Sequence, residues 1–200
     1  AVIGLGRIGV GFENDTLREK PCTHVGAWLE IPGVKLVALC DIDSKLASET
    51  LDRIKGHYTK SAFTDYKNMF DNYNLDIVSI ATPASTHREI VEYIAKNRLA
   101  KLIFCEKPIA LNVEDAKSMI NICAENNIKL AINHTRRWNP LWREAAQIIT
   151  HGEEISWAIG HFSGDVMNVG IHMADIANWF GIGQEFEAYA HHIADYLLFE

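Results

Sequence analysis

The chain has 200 residues, of which 48% are hydrophobic and 22% are charged, and its formal net charge is −7. This composition is typical of a globular protein, and the length allows one complete domain and part of a second. The acidic balance and the scattered lysines and arginines argue against nucleic-acid binding, and no apolar run is long enough to span a bilayer. No signal-peptide pattern opens the chain, and its four cysteines lack metal-ligand spacing. We therefore expect a cytoplasmic protein with reduced thiols, no bound metal and no membrane partner.

The first nine residues, A-V-I-G-L-G-R-I-G, form a short apolar strand followed by three spaced glycines. In a dinucleotide-binding turn, Gly4 allows the tight bend, Gly6 lets the backbone approach a pyrophosphate, and Gly9 lets the next segment pack against the strand. The next strand-like run ends in Asp41, whose carboxylate can accept hydrogen bonds from ribose hydroxyls and would repel a 2′-phosphate. The pattern predicts NAD binding, with NADP less favoured. The alternative is a plain strand–turn–helix in which Asp41 only caps the strand.

The spacing between the last glycine and the acid departs from the usual pattern. The acid usually follows by about 20 residues, whereas Asp41 follows Gly9 by 32 residues (41 minus 9). The excess falls in the polar stretch Val10–Pro21, which we interpret as an inserted loop, with the helix resuming near Thr23 and running to Glu30. The loop would either weaken the helix N-terminus as a pyrophosphate site or fold over the cofactor.

Strand-like and helix-like segments then alternate, which predicts a parallel sheet with helices on both faces. Asn112 is expected to cap one helix, and Thr86-x-x-Glu89 is expected to open another as a capping box. The predicted helices are 44–54, 65–72, 86–98 and 113–126, and the predicted strands are 35–41, a short strand near Tyr58, 76–82, 101–106 and 129–133. We therefore predict an α/β fold, a Rossmann-type doubly wound parallel sheet that forms an NAD(P)-binding domain over residues 1–133.

The remaining residues, 134–200, have a different pattern and predict a partial α+β second domain. We expect it to be the start of a truncated or minimal substrate and oligomerisation domain. Residues 140–150 and 168–180 look helical, and residues 155–162 and 185–193 look strand-like. The apolar run Tyr189–Phe199 would need a cover, so we expect a homo-oligomer.

Three predicted strands end in residues suited to chemistry, at the edge where open α/β sheets bind ligands. These ends read T-P-A-S-T-H from Thr82, E-K-P from Glu106 and N-H-T-R-R-W from Asn133. Lys107 would lie where a nicotinamide ring reaches, and its ammonium could stabilise an alkoxide as hydride leaves. The alternative is a lysine that pairs with a carboxylate and has no further role.

A second group of polar residues lies beyond the predicted sheet. If this segment is helical, Asn168, His172 and Asp175 share one face through i,i+4 and i,i+3 spacing. His172 could then act as the general acid and base, because histidine titrates near neutral pH. The alternatives are that Asn168 only caps a helix and that His172 is a core histidine.

These motifs, in this order, resemble the Gfo/Idh/MocA family, which includes glucose-fructose oxidoreductase and inositol 2-dehydrogenase. The resemblance rests on G-L-G-R-I-G, A-T-P-x-x-x-H, E-K-P, R-R-W-N-P and N-x-G-x-H-x-x-D. It implies NAD as the cofactor, a sugar or polyol as the substrate, and hydride transfer while His172 takes the alcohol proton. The implied cofactor-binding residues are Gly4, Gly6, Arg7, Ile8, Gly9, Asp41, Thr82, Pro83, His87, Glu106 and Lys107, and the implied substrate-binding residues are Asn168, Asp175 and Arg137.

The chain departs from the family pattern in three ways. Asn168 stands where inositol dehydrogenases carry Asp, and an amide can bond a sugar hydroxyl but cannot take a proton. The insertion alters the pyrophosphate loop, and family members continue into a long open sheet that forms the substrate-site floor and the subunit interface. We predict an NAD-dependent dehydrogenase of a sugar, polyol or nucleotide-sugar. The alternatives are an NAD-binding regulator without turnover and an NAD-dependent glycosidase.

Overall fold

The computed structural model describes residues 1–150, 152, 159–182, 190–193 and 196–199. The chain divides into two compact units, residues 1–133 and residues 134–200, and each has its own packing. Among the described residues, no helix is both long enough and apolar enough to cross a membrane.

Residues 1–133 form one six-stranded parallel sheet in the order β3-β2-β1-β4-β5-β6. This is the Rossmann strand order, in which the direction of winding reverses between β1 and β4. The predicted Rossmann-type parallel sheet is therefore confirmed. The strands are β1 (Val2–Ile3), β2 (Ala38–Cys40), β3 (Ser61–Phe63), β4 (Ile77–Ile80), β5 (Leu102–Glu106) and β6 (Lys129–Asn133), and the helices are α1 (His24–Glu30), α2 (Ser44–Arg53), α3 (Tyr66–Asn72), α4 (Ala84–Lys96) and α5 (Val113–Glu125).

Alternating side chains of the central strands fill two separate cores. Val2 and Leu39 lie in one apolar cluster, and Ile3, Ala38 and Cys40 lie in the other. Because successive strand residues point to opposite faces, this division means that both faces of the sheet are covered, as expected of a parallel sheet. Burial raises the pKa of the Cys40 thiol to about 12, so the thiol stays protonated and packs as a small apolar group.

The short strand expected near Tyr58 lies slightly later, at Ser61–Phe63. Its position follows from pairing, because Ser61 stands opposite Ala38, the first residue of β2. Tyr58 lies in the preceding loop, 61% exposed, with the Lys35 ammonium over its ring. Cross-strand partners, rather than the preference of one aromatic residue, decide where this strand forms.

The capping box predicted at Thr86 and Glu89 is wrong. Helix α4 begins at Ala84, directly after Pro83, whose fixed φ suits a position at the start of a helix. Thr86 Oγ1 therefore lies inside the first turn, where it donates to the Pro83 carbonyl at 2.8 Å. Glu89 accepts a hydrogen bond from the Tyr66 hydroxyl instead of a backbone amide.

Helix α1 continues the helical turn that begins at Gly6–Gly9, although an inserted loop separates the two pieces along the chain. The Ile8 and Gly9 carbonyls accept hydrogen bonds from the His24 and Val25 amides at 3.1 and 3.0 Å. In an unbroken α-helix those carbonyls would bond the amides of residues 12 and 13. The helix is therefore closed across an insertion of 12 residues (24 minus 12, and 25 minus 13). The predicted inserted loop is confirmed, and Thr23 is the N-cap of α1.

One carboxylate anchors the looped-out residues to α1. Glu13 Oε1 accepts from the Cys22 amide at 2.8 Å, the Thr23 amide at 2.9 Å and the Thr23 hydroxyl at 2.7 Å. Partial burial raises the pKa of Glu13, but these hydrogen bonds and the Lys20 charge together hold the pKa below its ordinary range. A Cβ at Gly26 would collide with this carboxylate, so a side chain at residue 26 would force Glu13 out of its present position.

Residues 134–200 contain α6 (Pro140–Thr150), a π-helical turn (Val166–Gly170), α7 (Ile171–Trp179) and an antiparallel pair, β7 (Ala190–Ile193) and β8 (Tyr196–Phe199). The helix predicted over 140–150 is confirmed. The prediction of a strand over 155–162 is wrong for residues 159–162, which form no strand. The Phe162 ring instead packs on Gly170 of the π turn. Residues 155–158, and residues 185–189 of the other predicted strand, lie outside the described residues.

We expect deletion of residues 12–23 to leave one continuous helix, because it joins Gly11 to His24 and keeps the phase of every α1 side chain. The variant should fold, with a melting temperature within a few degrees of the intact chain, as measured by thermal unfolding followed by circular dichroism.

Deletion of residues 12–22 is the matched control. It leaves one extra residue, which turns the α1 face by about 100° and moves Val25 and His24 out of their buried positions. A large fall in melting temperature is expected for this control alone. Equal melting temperatures for the two deletions would contradict the closure of the helix.

Candidate functional site

Each of the three glycines in the first turn has a different environment. Gly4 has a φ of +89°, and a Cβ there would collide with the Thr82 backbone. A Cβ at Gly9 would collide with the Gly4 carbonyl oxygen and with Leu5. Gly6 has nothing within 4 Å of its Cβ position. The turn is therefore closely packed where it meets the strands and open at Gly6.

Asp41 follows β2 and is tied to the glycine turn. Its Oδ2 accepts from the Leu5 amide at 2.7 Å, and its Oδ1 accepts from the Asp43 amide at 2.9 Å. Each carboxylate oxygen can accept a second hydrogen bond, so the half-buried carboxylate retains capacity for a ribose hydroxyl. Asp41 follows Gly9 by 32 positions, and subtracting the 12 looped-out residues leaves 20, which is the usual spacing.

The insertion also contacts the glycine turn directly. Arg7 and Arg18 both lie over the Phe12 ring, with guanidinium carbons 4.7 and 4.0 Å from its centroid. Such cation–π contacts are weakly attractive when exposed. Of the two non-glycine residues predicted to bind the cofactor here, Arg7 is exposed and Ile8 is half-buried.

His87 lies between the ends of β4 and β5. Its ring is fully buried, with Nε2 2.9 Å from the Thr82 carbonyl oxygen and Nδ1 3.1 and 3.2 Å from the carbonyl oxygens of Pro108 and Ile109. Carbonyl oxygens only accept, and a neutral imidazole carries a single N–H, so its tautomer decides whether the ring donates to Thr82 or to the Pro108 and Ile109 side. His87 thus links the Thr82–Pro83 strand end to the segment after Lys107 from inside the protein.

Glu106 is the last residue of β5, and only 6% of it is exposed. Its Oε1 lies 2.9 Å from His24 Nε2 and accepts from Asn133 Nδ2 at 2.6 Å, and its Oε2 accepts from the Lys107 amide at 3.3 Å. Burial, the largest single influence, raises the pKa of Glu106, but the hydrogen bonds and the His24 interaction together leave it below its ordinary range. A buried carboxylate therefore joins α1, β5 and β6.

Sequence reasoning did not identify His24 and Asn133 as partners of Glu106. Asn133 stands opposite Glu106 in the parallel register of β6 with β5, so alignment of the two strand ends would have indicated that contact. His24 is too far from Gly9 along the sequence to be recognised as part of the same helix. Only removal of the 12 inserted residues puts it at the helical position of residue 12, on the turn that follows Gly9.

Within residues 134–200, the structure brings Arg137 and Asp175 together. Arg137 Nε donates to both Asp175 oxygens at 3.0 and 2.9 Å, and Nη2 lies 2.8 Å from Oδ1. His134 Nδ1 is 3.6 Å from Asp175 Oδ2, and the His134 ring meets the His172 ring edge-on at 6.2 Å. Two predicted substrate residues therefore bind each other, and His172 lies beside their cluster.

Asn168 lies in the π-helical turn rather than in α7. Its backbone amide donates to Asp165 Oδ1 at 2.9 Å. Asp165 is therefore the N-cap of the π-helical turn, and the interpretation of Asn168 as a cap is wrong. His172 and Asp175, three residues apart, both lie in α7, but the turn from Asn168 to His172 does not follow α-helical spacing. Single π turns occur frequently at functional sites.

Comparison with known proteins identifies the family. Residues 1–134 match the family model for Gfo/Idh/MocA, described as an oxidoreductase family with an NAD-binding Rossmann fold. The chain belongs to this family, so the resemblance read from the sequence motifs is confirmed.

The chain is similar to D-apiose dehydrogenase of Paraburkholderia graminis, with 31% identity over 78% of this chain and 45% of that protein. It is also similar to scyllo-inositol 2-dehydrogenase (NAD(+)) of Bacillus subtilis, with 30% identity over 76% of this chain and 40% of that protein. Among solved structures, myo-inositol 2-dehydrogenase from Lactobacillus plantarum has a TM-score of 0.69 and 25% identity, over 90% of this chain and 55% of that one. The chain spans about half the length of the curated relatives it matches.

We expect Gly9→Ala to destabilise the fold, because its Cβ would meet the Gly4 and Leu5 backbone, which cannot move without disturbing β1. The free energy of unfolding in urea should fall by about 1–3 kcal/mol, the range for overpacking. Gly6→Ala is the matched control, since open space surrounds its Cβ position, and it should change the free energy of unfolding by less than about 1 kcal/mol. An equal loss in both variants would contradict the close packing assigned to Gly9.

Proposed function

We propose that the protein is an NAD-dependent dehydrogenase that transfers a hydride between a secondary alcohol of a sugar, polyol or nucleotide-sugar and the nicotinamide. The main support is the glycine turn, which is open at Gly6, continues into α1 across the insertion, and is followed by Asp41 at the usual spacing. A helix N-terminus of this kind is a ready site for a pyrophosphate.

The described residues fit this cofactor. Gly6 leaves room for a pyrophosphate, with Gly4, Arg7, Ile8 and Gly9 in the same turn, and Asp41 can accept from the ribose. Thr82, Pro83 and Lys107 stand at the ends of the neighbouring strands, where the nicotinamide half would lie, and His87 and Glu106 hold those ends. When bound, NAD accepts the hydride, while the protein supplies binding, orientation and charge.

His172 is the proposed general base. It would take the proton from the substrate hydroxyl as hydride leaves the carbon that bears this hydroxyl. Lys107 would stabilise the negative charge that develops on the oxygen. Arg137 and Asp175 form a bidentate pair beside the histidines, where Asp175 could still accept from a sugar hydroxyl. Asn168, which is exposed, would donate to or accept from another hydroxyl.

The relatives support a sugar or polyol substrate, because they are named apiose and inositol dehydrogenases. These names do not favour the regulator or the glycosidase alternative. We also propose a homo-oligomer in the cytoplasm. The cytoplasmic location is supported by four cysteines that form no disulfide in the described part of the chain.

Titration calorimetry of the purified chain tests the cofactor proposal. We expect saturable NADH binding and at least tenfold weaker NADPH binding, because the Asp41 carboxylate would repel a 2′-phosphate. Asp41→Ser should weaken NADH binding about tenfold, as loss of a charged hydrogen bond does. The same variant should also reduce the preference for NADH over NADPH. Gly6→Ala is the folded control and should bind neither nucleotide. Equal affinity of the intact chain for NADH and NADPH would contradict the role of Asp41.

Steady-state turnover of the full-length protein with a sugar or inositol substrate tests the chemistry. Lys107→Ala and His172→Ala should each lower kcat by at least about 100-fold, the usual loss of a proton-transfer or charge-stabilising group, with little change in NADH affinity. The matched controls are Lys101→Ala, at the opposite end of β5, and His161→Ala, an exposed histidine. Control-like turnover in both test variants would reject the assigned roles.

A further inference from the structure

The Glu106 carboxylate takes no part in the proton or hydride transfer proposed above. It nevertheless has three hydrogen-bond partners at the end of β5. Two side-chain donors, His24 and Asn133, converge on one of its oxygens, and the Lys107 amide reaches the other. Glu106, His24 and Asn133 are all buried, with 6%, 4% and 8% of each residue exposed. Burying such a charge is costly unless every partner is in place.

His24 connects this carboxylate to the glycine turn through a single residue. Its main-chain amide donates to the Ile8 carbonyl and thereby closes the helix across the insertion, while its side chain lies 2.9 Å from Glu106. The ring also packs on Phe104 of β5, with centroids 5.5 Å apart. A shift of the glycine turn would therefore be transmitted to the end of β5.

Stability alone does not require an ionic group at this position. Buried ion pairs can often be replaced by apolar side chains of similar volume without loss of stability. What a hydrogen-bonded carboxylate adds is direction, because each of its bonds fixes a donor in angle as well as in distance. The three partners of Glu106 come from α1, β6 and the residue before Pro108, so their relative positions are fixed together.

We propose that Glu106 is a positioning residue. Through His24 and Asn133 it holds the pyrophosphate-binding turn and the strand end that carries Lys107 in fixed register, so that both halves of a dinucleotide meet groups already in place. This inference rests on the proposed function. It follows that loss of the network should weaken a ligand that spans both segments and spare a ligand that uses only the glycine turn.

The test uses titration calorimetry of the chain to compare NADH, which spans both segments, with ADP, which reaches the glycine turn and Asp41 but not the end of β5. His24→Leu should raise the Kd for NADH about tenfold, corresponding to one charged hydrogen bond, and change the Kd for ADP by less than about twofold. His24→Gln, whose amide can still donate to Glu106, should restore most of the NADH affinity. Asn133→Ala removes the other donor without changing α1 and should give the same selective loss.

Trp28→Phe is the control for general loosening of α1. Trp28 lies on the same helix and donates from Nε1 to Ser79 Oγ at 2.6 Å, so its replacement should lower the melting temperature but leave the ratio of NADH to ADP affinity unchanged. A fall in NADH and ADP affinity by the same factor in His24→Leu and Asn133→Ala would overturn the inference and leave the proposed function standing. Failure of the intact chain to bind NADH would instead overturn the proposed function, and the inference with it.

Discussion

Two backbone hydrogen bonds, from the His24 and Val25 amides to the Ile8 and Gly9 carbonyls, make one helix out of two separated pieces of chain. They put Val25 in the core, only 1% exposed, and bring the His24 ring to Glu106. With the 12 looped-out residues left out of the count, Asp41 follows Gly9 by 20 residues, the usual separation. Because the entropy of closing a loop grows only slowly with its length, a surface excursion of this size is compatible with an intact helix when its ends are fixed in this way.

The strand ends depend on polar groups inside the protein as much as on the residues that face a ligand. His87 holds the segments after β4 and β5 together, and Glu106 holds β5 to α1 and β6. These are buried and multiply bonded, unlike the surface ion pair of Lys101 with Asp76, which contributes little to stability because water screens it. The chemistry proposed for Lys107, which is half-buried, thus depends on residues that are held by hydrogen bonds inside the protein.

Much of the fold could be predicted from the sequence because its signals are local. Continuous apolar strands, the glycine turn and the Asn112 cap each depend on neighbouring residues, and each is observed. The start of α4, the cap at Asp165 and the partners of Glu106 could not be predicted in the same way. They depend on which segments meet in space. For His24, the 12 inserted residues also hid the helical spacing that would have linked it to the glycine turn. For the site, the sequence predicted the glycine turn and the strand ends but not the buried contacts that hold them.

We propose that the glycine turn and the end of β5 form one dinucleotide site in spite of the insertion, and the roles proposed for the other residues depend on it. Amide NMR of the chain, titrated with NADH, tests it most directly because it reports each backbone position separately. A single shared site predicts shifts at Gly6, at Asp41 and at Lys107, with the same midpoint for all three. Shifts confined to a different surface, such as the groove between α2 and β3 that Ser48, Ala62 and Thr64 line, or no saturable shift at Gly6 and Lys107, would contradict a single shared site.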